Sequence, residues 1–279
     1  MKRILGLVAS QRKTANGEIL LKEAAAAAGD EYELELIRLA EWRFEPCRGC
    51  FTCLLPDKSC PIDDDLYPLA DKIKAADGII LASPCYALGP ASVTKLIGDR
   101  IIALNQLLED FWGKPCVIIA TAGNHGWEGY TLSALITTAR NMGLGVKDAC
   151  MFIGALPGEA VLAEGVRGRV RLLGSRLFDE ARPPEEGECP SCWADIWKFP
   201  QPGIAICSLC GQVADLIAGR DGVIWIFGPR SDRQTKEGLV RHNQELKGKV
   251  KEYFSRREEL TVVRKAYKGE DNWLKPRTK

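Results

Sequence analysis

The sequence carries almost no net charge: 38 Lys and Arg against 37 Asp and Glu leave a formal +1. Nothing in that balance selects a nucleic acid or an anionic membrane as partner. No apolar run approaches the ~18 to 20 residues needed to cross a bilayer. The opening MKRILGLVAS places basic residues before apolar ones, but Gln11-Arg12-Lys13 follows at once, so a buried first strand is expected rather than an export signal. The G-x-x-x-x-G-K-[ST] nucleotide loop and the G-x-G-x-x-G dinucleotide pattern are both missing, which disfavours ATP and a Rossmann NAD site. No internal repeat is present beyond two cysteine pairs. The expectation is a cytoplasmic protein with neither a nucleic-acid nor a membrane partner, whose function has to be sought in its sites.

What the sequence does have is cysteine, 11 residues in all. Without an export signal, structural disulfides are disfavoured because a reducing compartment keeps thiols free. Eight of the cysteines form two tight groups, and C-x-x-C spacing brings thiolates within reach of one metal or cluster. Cys85, Cys116 and Cys150 lie in or beside apolar runs and read as small packed hydrophobes.

Short apolar runs at Ile4 to Val8, Gly78 to Ala82, Cys116 to Thr121 and Ala149 to Gly154 read as strands, with an alternating strand at Tyr32 to Leu39. Helices are expected over Ile19 to Ala28, Asp64 to Ala75, Ala91 to Leu108, a segment ending at Met142, and Glu159 to Phe178. Uniformly apolar strands between amphipathic helices imply an α/β fold with a parallel sheet covered on both faces. Ligands of such sheets bind at the carboxyl ends of the strands, and three polar, Gly- and Pro-containing loops stand there: 9–17, 83–90 and 121–129. Ala181 to Glu188 is Pro-rich and acidic and reads as a linker. A hairpin turning at Arg220-Asp221-Gly222 and a charged helix with a basic tail from about Thr235 follow.

The first loop, Ser10-Gln11-Arg12-Lys13-Thr14-Ala15-Asn16-Gly17, leads into a helix. Hydroxyls, backbone amides and a helix amino terminus there suit a phosphate dianion. This loop resembles the phosphate loop of the flavodoxin-like NAD(P)H-dependent FMN reductases, often written G-S-x-R-x-x-G-N-T, with Ala9 in place of the Gly and Gly17 in place of the Thr. Ser83-Pro84-Cys85-Tyr86-Ala87-Leu88-Gly89-Pro90, followed by Lys95, Asp99 and Arg100, is similar to the family's S-P-x-Y…P…K…D-R segment. Thr121-Ala122-Gly123…Gly126 resembles its third loop.

The resemblance covers about residues 1 to 180. It implies a flavodoxin-like doubly wound parallel sheet that binds FMN. The implied contacts are Ser10, Arg12, Lys13, Asn16 and Gly17 at the phosphate, Ser83, Pro84, Cys85, Tyr86 and Ala87 in the second loop, and Thr121, Ala122, Gly123 and Gly126 against the ring. Tyr86, Trp127 and His125 lie on loops suited to stack or donate. Hydride transfer to a flavin needs no protein base, so none is assigned, and His125 reads as a polar contact.

Cys47, Cys50, Cys53 and Cys60 form a C-x2-C-x2-C-x6-C motif, in which three thiolates can wrap one face of a cubane and the fourth close it. The spacing resembles the compact motif of the iron-sulfur flavoproteins, which implies a [4Fe-4S] cluster near the flavin and a homodimer or homotetramer. Free thiols before Asp63-Asp64 are the alternative, with zinc behind both. Cys189-x-x-Cys192 and Cys207-x-x-Cys210, separated by 14 residues, form two knuckles fit for zinc or a single iron, and the segment resembles a zinc ribbon. Trp193, Trp197 and Phe199 are expected to pack it.

Three regions follow: 1–182, an FMN-binding domain with the four-cysteine motif; 186–230, a zinc-ribbon or rubredoxin-like module; and 231–279, a charged helical tail. The function expected is an FMN-dependent oxidoreductase moving electrons between a donor, ferredoxin or NAD(P)H, and an unnamed acceptor. The alternatives are a cluster-free FMN or quinone reductase, and a non-catalytic redox sensor or docking protein.

Overall fold

Lys2–Val8 (β1) is buried along its last five residues, as its apolar run predicts. Asn16–Ala25 (α1) follows, then Tyr32–Arg38 (β2), Leu66–Ala75 (α2) and Gly78–Tyr86 (β3). Gly89–Pro90 (β4) folds back on β3; Ser92–Gly98 (α3), Ile101–Leu104 (α4) and Leu108–Phe111 (α5) are short helices. Pro115–Ala122 (β5), Thr131–Asn141 (α6), Gly145–Ile153 (β6) and Val166–Ser175 (α7) complete the α/β part. The structure, a computed structural model, describes residues 1–220, 222–269 and 274.

The strands run β2-β1-β3-β5-β6, all parallel, with only β4 antiparallel to β3. This is the doubly wound order of the flavodoxin-like sheet. Period-two alternation sends Leu5, Leu7, Ile79, Leu81 and Ile118 to one face, against Leu69 and Ile73 of α2 and Leu135 and Ile136 of α6. Ile4, Val8, Ile80, Val117 and Ile119 go to the other, against Leu20 and Leu21 of α1 and Val170 and Leu173 of α7. Each such fully buried side chain contributes about 1.5–3 kcal/mol. The alternating pattern of β2 has its cause in the topology: it is an edge strand, with exposed Glu33 and Glu35.

Three sequence expectations are corrected here. The helix expected over 91–108 is broken at Arg100 (φ −111°, ψ 9°), whose side chain turns inward to a buried carboxylate. The helix expected over 159–178 starts late, because Gly165 takes φ 76° and begins a new turn. The second loop is largely strand, since β3 continues to Tyr86 and pairs with β4.

Trp197–Gln201 (β7), Ile204–Cys207 (β8), Val213–Gly219 (β9) and Gly222–Phe227 (β10) form a separate antiparallel sheet in the order β10-β9-β8-β7. The expected hairpin is present between β9 and β10, although Asp221 at its turn lies outside the described residues. Lys236–Ser255 (α8) is capped by Thr235, whose Oγ1 accepts from the Gly238 amide at 3.1 Å, and Arg257–Lys265 (α9) follows. The basic tail lies largely outside the described residues. Among the described residues, no helix is long and apolar enough to cross a membrane.

The segment read as a linker is irregular but held. Arg182 is buried and donates to Asp148 at 3.0 Å and to Glu188 at 2.7 Å. Asp148, fully buried on β6, also accepts from Arg169 at 2.8 Å and Arg176 at 2.9 Å.

Candidate functional site

At the carboxyl end of β1 the chain runs into the first loop. Ser10 is buried and its Oγ accepts from the Arg12 amide at 3.2 Å. Thr14 takes φ 56°, a left-handed conformation that costs a threonine of order 1–3 kcal/mol and that functional loops retain. The residue before α1 is Ala15, which offers no side-chain cap, so the first-turn amides are left for an external anion.

The carboxylate of Glu18 faces this loop and accepts from the Thr14 amide at 2.9 Å. Its bond to Lys22 holds its pKa down at about 2 against the effect of burial, with help from Arg38. Arg38 also donates to the Ser10 and Arg12 carbonyls at 3.2 and 2.9 Å. Lys22 and Arg38, the latter also paired with Glu41, together neutralise Glu18, and exposed Arg12 and Lys13 remain to favour an anion.

Asn16 does something other than expected. Its Nδ2 donates to the Gly154 carbonyl at 2.8 Å and its Oδ1 accepts from the Ala160 amide at 3.2 Å. The side chain thus ties the first loop to the segment after β6, and only its backbone remains for a phosphate.

In the second loop, Ala87 (φ 49°) and Leu88 (φ 66°) are the central residues of a two-residue hairpin that normally calls for Asn-Gly. Ser83 is fully buried; its Oγ accepts from the Ala91 amide at 3.1 Å, closing the hairpin rather than facing solvent. The turn leaves Tyr86 55% exposed, free to lie against a planar ring.

The third loop docks on the second. The Tyr130 amide donates to the Leu88 carbonyl at 2.9 Å, and the Cys85 thiol to the Trp127 carbonyl at 3.3 Å. Gly129 has φ 53°, and a Cβ there would collide with the Leu88 carbonyl oxygen. Thr121 and Ala122 are buried at the strand end, while Gly123, Gly126 and Trp127 are exposed beyond it. His125 is exposed, 3.7 Å from the Glu128 carboxylate, and contacts no candidate nucleophile. A cleft of 440 Å³ opens beside the first two loops, walled by Ala9, Gln11, Trp42, Phe44, Tyr86 and Val93.

The four-cysteine motif occupies the irregular stretch between β2 and α2. Gly49 (φ 60°) and Phe51 (φ 55°) turn the chain between its cysteines. The Asp64 carboxylate anchors the loop, accepting from the Glu45 amide at 2.8 Å and from Arg100 in a fully buried ion pair. Burial would raise the pKa of Asp64, but the Arg100 guanidinium outweighs it and holds the carboxyl below its ordinary range. Cys47 and Cys50 are exposed, Cys53 and Cys60 half-buried. All four line one chamber of 910 Å³, with Gly211, Arg233, Leu239 and His242 on the opposite wall. Burial pushes the Cys53 thiol up, with Cys60, Cys50 and Cys47 adding to the shift; these four sulfurs do not lie within 4.8 Å of one another, as the C-terminal four do.

The C-terminal cysteines are gathered more tightly. The sulfurs of Cys189, Cys192, Cys207 and Cys210 lie within 4.8 Å of one another and all four residues are buried. Hydrogen bonds from Cys189, Cys192 and Cys210 push the Cys207 thiol down, while Cys189, then Cys207 and Cys210, push Cys192 up. Four buried sulfurs this close would repel one another as thiolates without a cation among them, so the donor set suits a metal. Buried Gln212 ties both knuckles to the segment after β10: its carbonyl accepts from the Cys207 amide at 2.8 Å, its Oε1 from Ser191 at 2.6 Å, and its Nε2 donates to Gly228 and Pro229 at 3.0 Å.

Of the aromatics expected to pack this unit, Trp197 does so against Trp225, at 4.9 Å between ring centroids. Trp193 instead joins the core of the parallel sheet, between the guanidinium groups of Arg140 at 4.9 Å and Arg182 at 4.5 Å. Phe199 is 63% exposed and packs nothing.

The residues missed by sequence reasoning are Glu18, Arg38 and Asp64. Arg38 reaches the first loop only because Val8 and Arg38 are register partners at the ends of adjacent parallel strands, which requires knowing the strand order.

The sequence profile of the NADPH-dependent FMN reductases matches residues 2–153. An iron-sulfur flavoprotein of Methanocaldococcus jannaschii is 40% identical over 99 residues, 35% of this chain and 51% of that protein. One from Archaeoglobus fulgidus is 33% identical over 123 residues, 43% and 62% of the two chains. The chain thus spans about half the length of the curated relatives it matches. Among solved structures, a flavone reductase superposes over 99% of this chain and 100% of its own with a TM-score of 0.76, at 19% identity, a likeness of fold.

Proposed function

Because the chain belongs to the NADPH-dependent FMN reductase family, we propose that it is an FMN-dependent oxidoreductase of the iron-sulfur flavoprotein type, accepting electrons from NAD(P)H or a ferredoxin-like carrier. The observation that carries this reading is the convergence of three loops at the carboxyl ends of β1, β3 and β5, the second and third locked to each other and the first to the segment after β6.

When bound, FMN supplies the ability to take up a hydride or single electrons and to release them singly or in pairs. Ser10, Arg12, Lys13 and the backbone of Asn16 and Gly17 hold its phosphate, with Arg38 and Glu18 fixing the loop around it. Pro84, Cys85, Tyr86 and Ala87 of the second loop and the amides of Thr121, Ala122, Gly123 and Gly126 of the third would hold its ring. Ser83 and the Asn16 side chain act as braces. Cys47, Cys50, Cys53 and Cys60 hold a [4Fe-4S] cluster, and the C-terminal four cysteines hold zinc or a single iron. A homodimer or homotetramer in a reducing cytoplasm suits eleven unpaired cysteines. A second reading, a cluster-free FMN or quinone reductase, draws support from the exposure of Cys47 and Cys50.

Anaerobic purification with an absorption spectrum and flavin, iron, sulfide and zinc quantitation separates these readings. The expected composition per chain is about one FMN, about four irons with about four sulfides, and about one zinc. A colourless protein that takes up no FMN on titration overturns the flavin reading, and a yellow protein without sulfide leaves the cluster-free reductase.

Substitution of Gly129 by alanine tests the interlock of the loops. Left-handed backbone costs about 1–3 kcal/mol, so FMN affinity is expected to fall by roughly tenfold or more, measured by flavin fluorescence titration.

A further inference from the structure

The residue that breaks the expected helix, Arg100, is 1% exposed, and every polar contact it makes points toward the four-cysteine motif. Nη1 pairs with the Asp64 carboxylate and donates to the Glu45 carbonyl at 3.3 Å. Nη2 donates to the sulfur of Cys60 at 3.4 Å. Nε is buried without an acceptor among the described residues, although Arg100 lines the chamber that Cys47, Cys50, Cys53 and Cys60 share. The contact that reaches the motif itself is the one from Nη2 to the Cys60 sulfur.

We propose that Arg100 is a hydrogen-bond donor to the cluster held by these four cysteines and that it raises the cluster's reduction potential; the proposal rests on the cluster reading above. Four thiolates around an iron-sulfur core make an anionic group whose sulfurs are acceptors. Donors to those sulfurs favour the more negative, reduced state. Arg100 brings one N–H, at Nη2, to a ligand sulfur. Of the other basic side chains on the chamber wall, Arg241 pairs with Asp232 at 2.9 Å, Arg233 donates to the Leu209 carbonyl at 2.9 Å and His242 meets Glu245 at 3.3 Å, while Arg48 is exposed; Arg100 is the buried one that donates to a motif sulfur. Asp64 keeps the guanidinium in place and offsets its charge, so the donated hydrogen bonds, rather than a net charge, set the effect.

The test is a potentiometric titration of the anaerobically purified holoprotein, followed by electron paramagnetic resonance of the reduced cluster. Arg100→Met combined with Asp64→Asn removes the donors while keeping the pair's net charge at zero. The cluster's reduced fraction relative to its oxidised fraction is then expected to fall about tenfold at a fixed potential, a shift of about 59 mV for a one-electron couple. Arg100→Lys, which keeps a charge against Asp64 but lacks the planar fork, is expected to fall between the parent and the double variant. It also decides the matter should the double variant fail to assemble a cluster. Variants that retain parental iron and sulfide, with a cluster potential unchanged within twofold in this ratio, overturn the role of Arg100 alone. A parent protein without iron and sulfide overturns the cluster reading and this role with it.

Discussion

Cys207→Ser is expected to abolish metal binding at the proposed C-terminal site and to unfold the antiparallel sheet around it. The four residues are buried with their sulfurs within 4.8 Å of one another, and the sheet's own core is little more than those cysteines, Ala194, Trp197 and Leu209. So small a core does not stabilise a fold by apolar burial alone. Coordination has to supply the difference, and structural zinc sites in small peptides contribute about 10–16 kcal/mol near neutral pH. Serine replaces a soft thiolate with a poor ligand. The expected result is a fall in tightly bound metal from about one to near zero per chain, with loss of near-ultraviolet dichroism from Trp197 and Trp225, whose rings touch. Acid mimics the substitution, because protons compete with the metal for the thiolates. A serine variant that keeps its metal and its aromatic signal refutes this account.

The second large effect is expected at Asp148. This carboxylate has no solvent exposure and accepts hydrogen bonds from Arg169, Arg176 and Arg182. Replacing it with asparagine leaves the shape and removes the charge that the arginines were placed to meet. Breaking a buried ion pair by deleting one partner costs about 3–5 kcal/mol, and a shift of that size in urea unfolding is the expected measurement. Burial by itself would raise the pKa of Asp148, but Arg169 and Arg176 overcome it and hold the carboxyl below its ordinary value. Since the folded state releases this proton more readily than the unfolded one, the stabilisation is fully present above the unfolded pKa of about 3.9 and disappears as pH falls through the lower, folded value. The asparagine variant should therefore lose much of the parent's acid sensitivity, and a variant as acid-sensitive as the parent argues against the assignment.

Much of this architecture was legible in the sequence because it rests on short-range chemistry. Uniformly apolar runs became the buried strands β1, β3 and β5, and the spacing of Cys189, Cys192, Cys207 and Cys210 became one gathered site. What escaped notice depends on contacts between residues far apart in the chain. The helix over 91–108 has suitable local propensity, yet Arg100 leaves it because Asp64, 36 residues earlier, draws its side chain into the interior. Ser83 and Asn16 stood correctly at strand ends, but their side chains went to neighbouring loops. Trp193 reads as part of its own cysteine knuckle, and only the packing shows that it belongs to the larger core.

That placement of Trp193 bears on how the chain matures. The larger sheet begins to assemble from residues made early in synthesis, yet one aromatic that fills its interior is delivered from between the knuckles, after Asp148 has been joined by Arg182. In the proposed holo form the knuckle would take its shape from the metal its cysteines hold. If the gathered cysteines take up an ion as proposed, its arrival would also seat Trp193 in the interior of the larger sheet, so the small site and the large core would mature together.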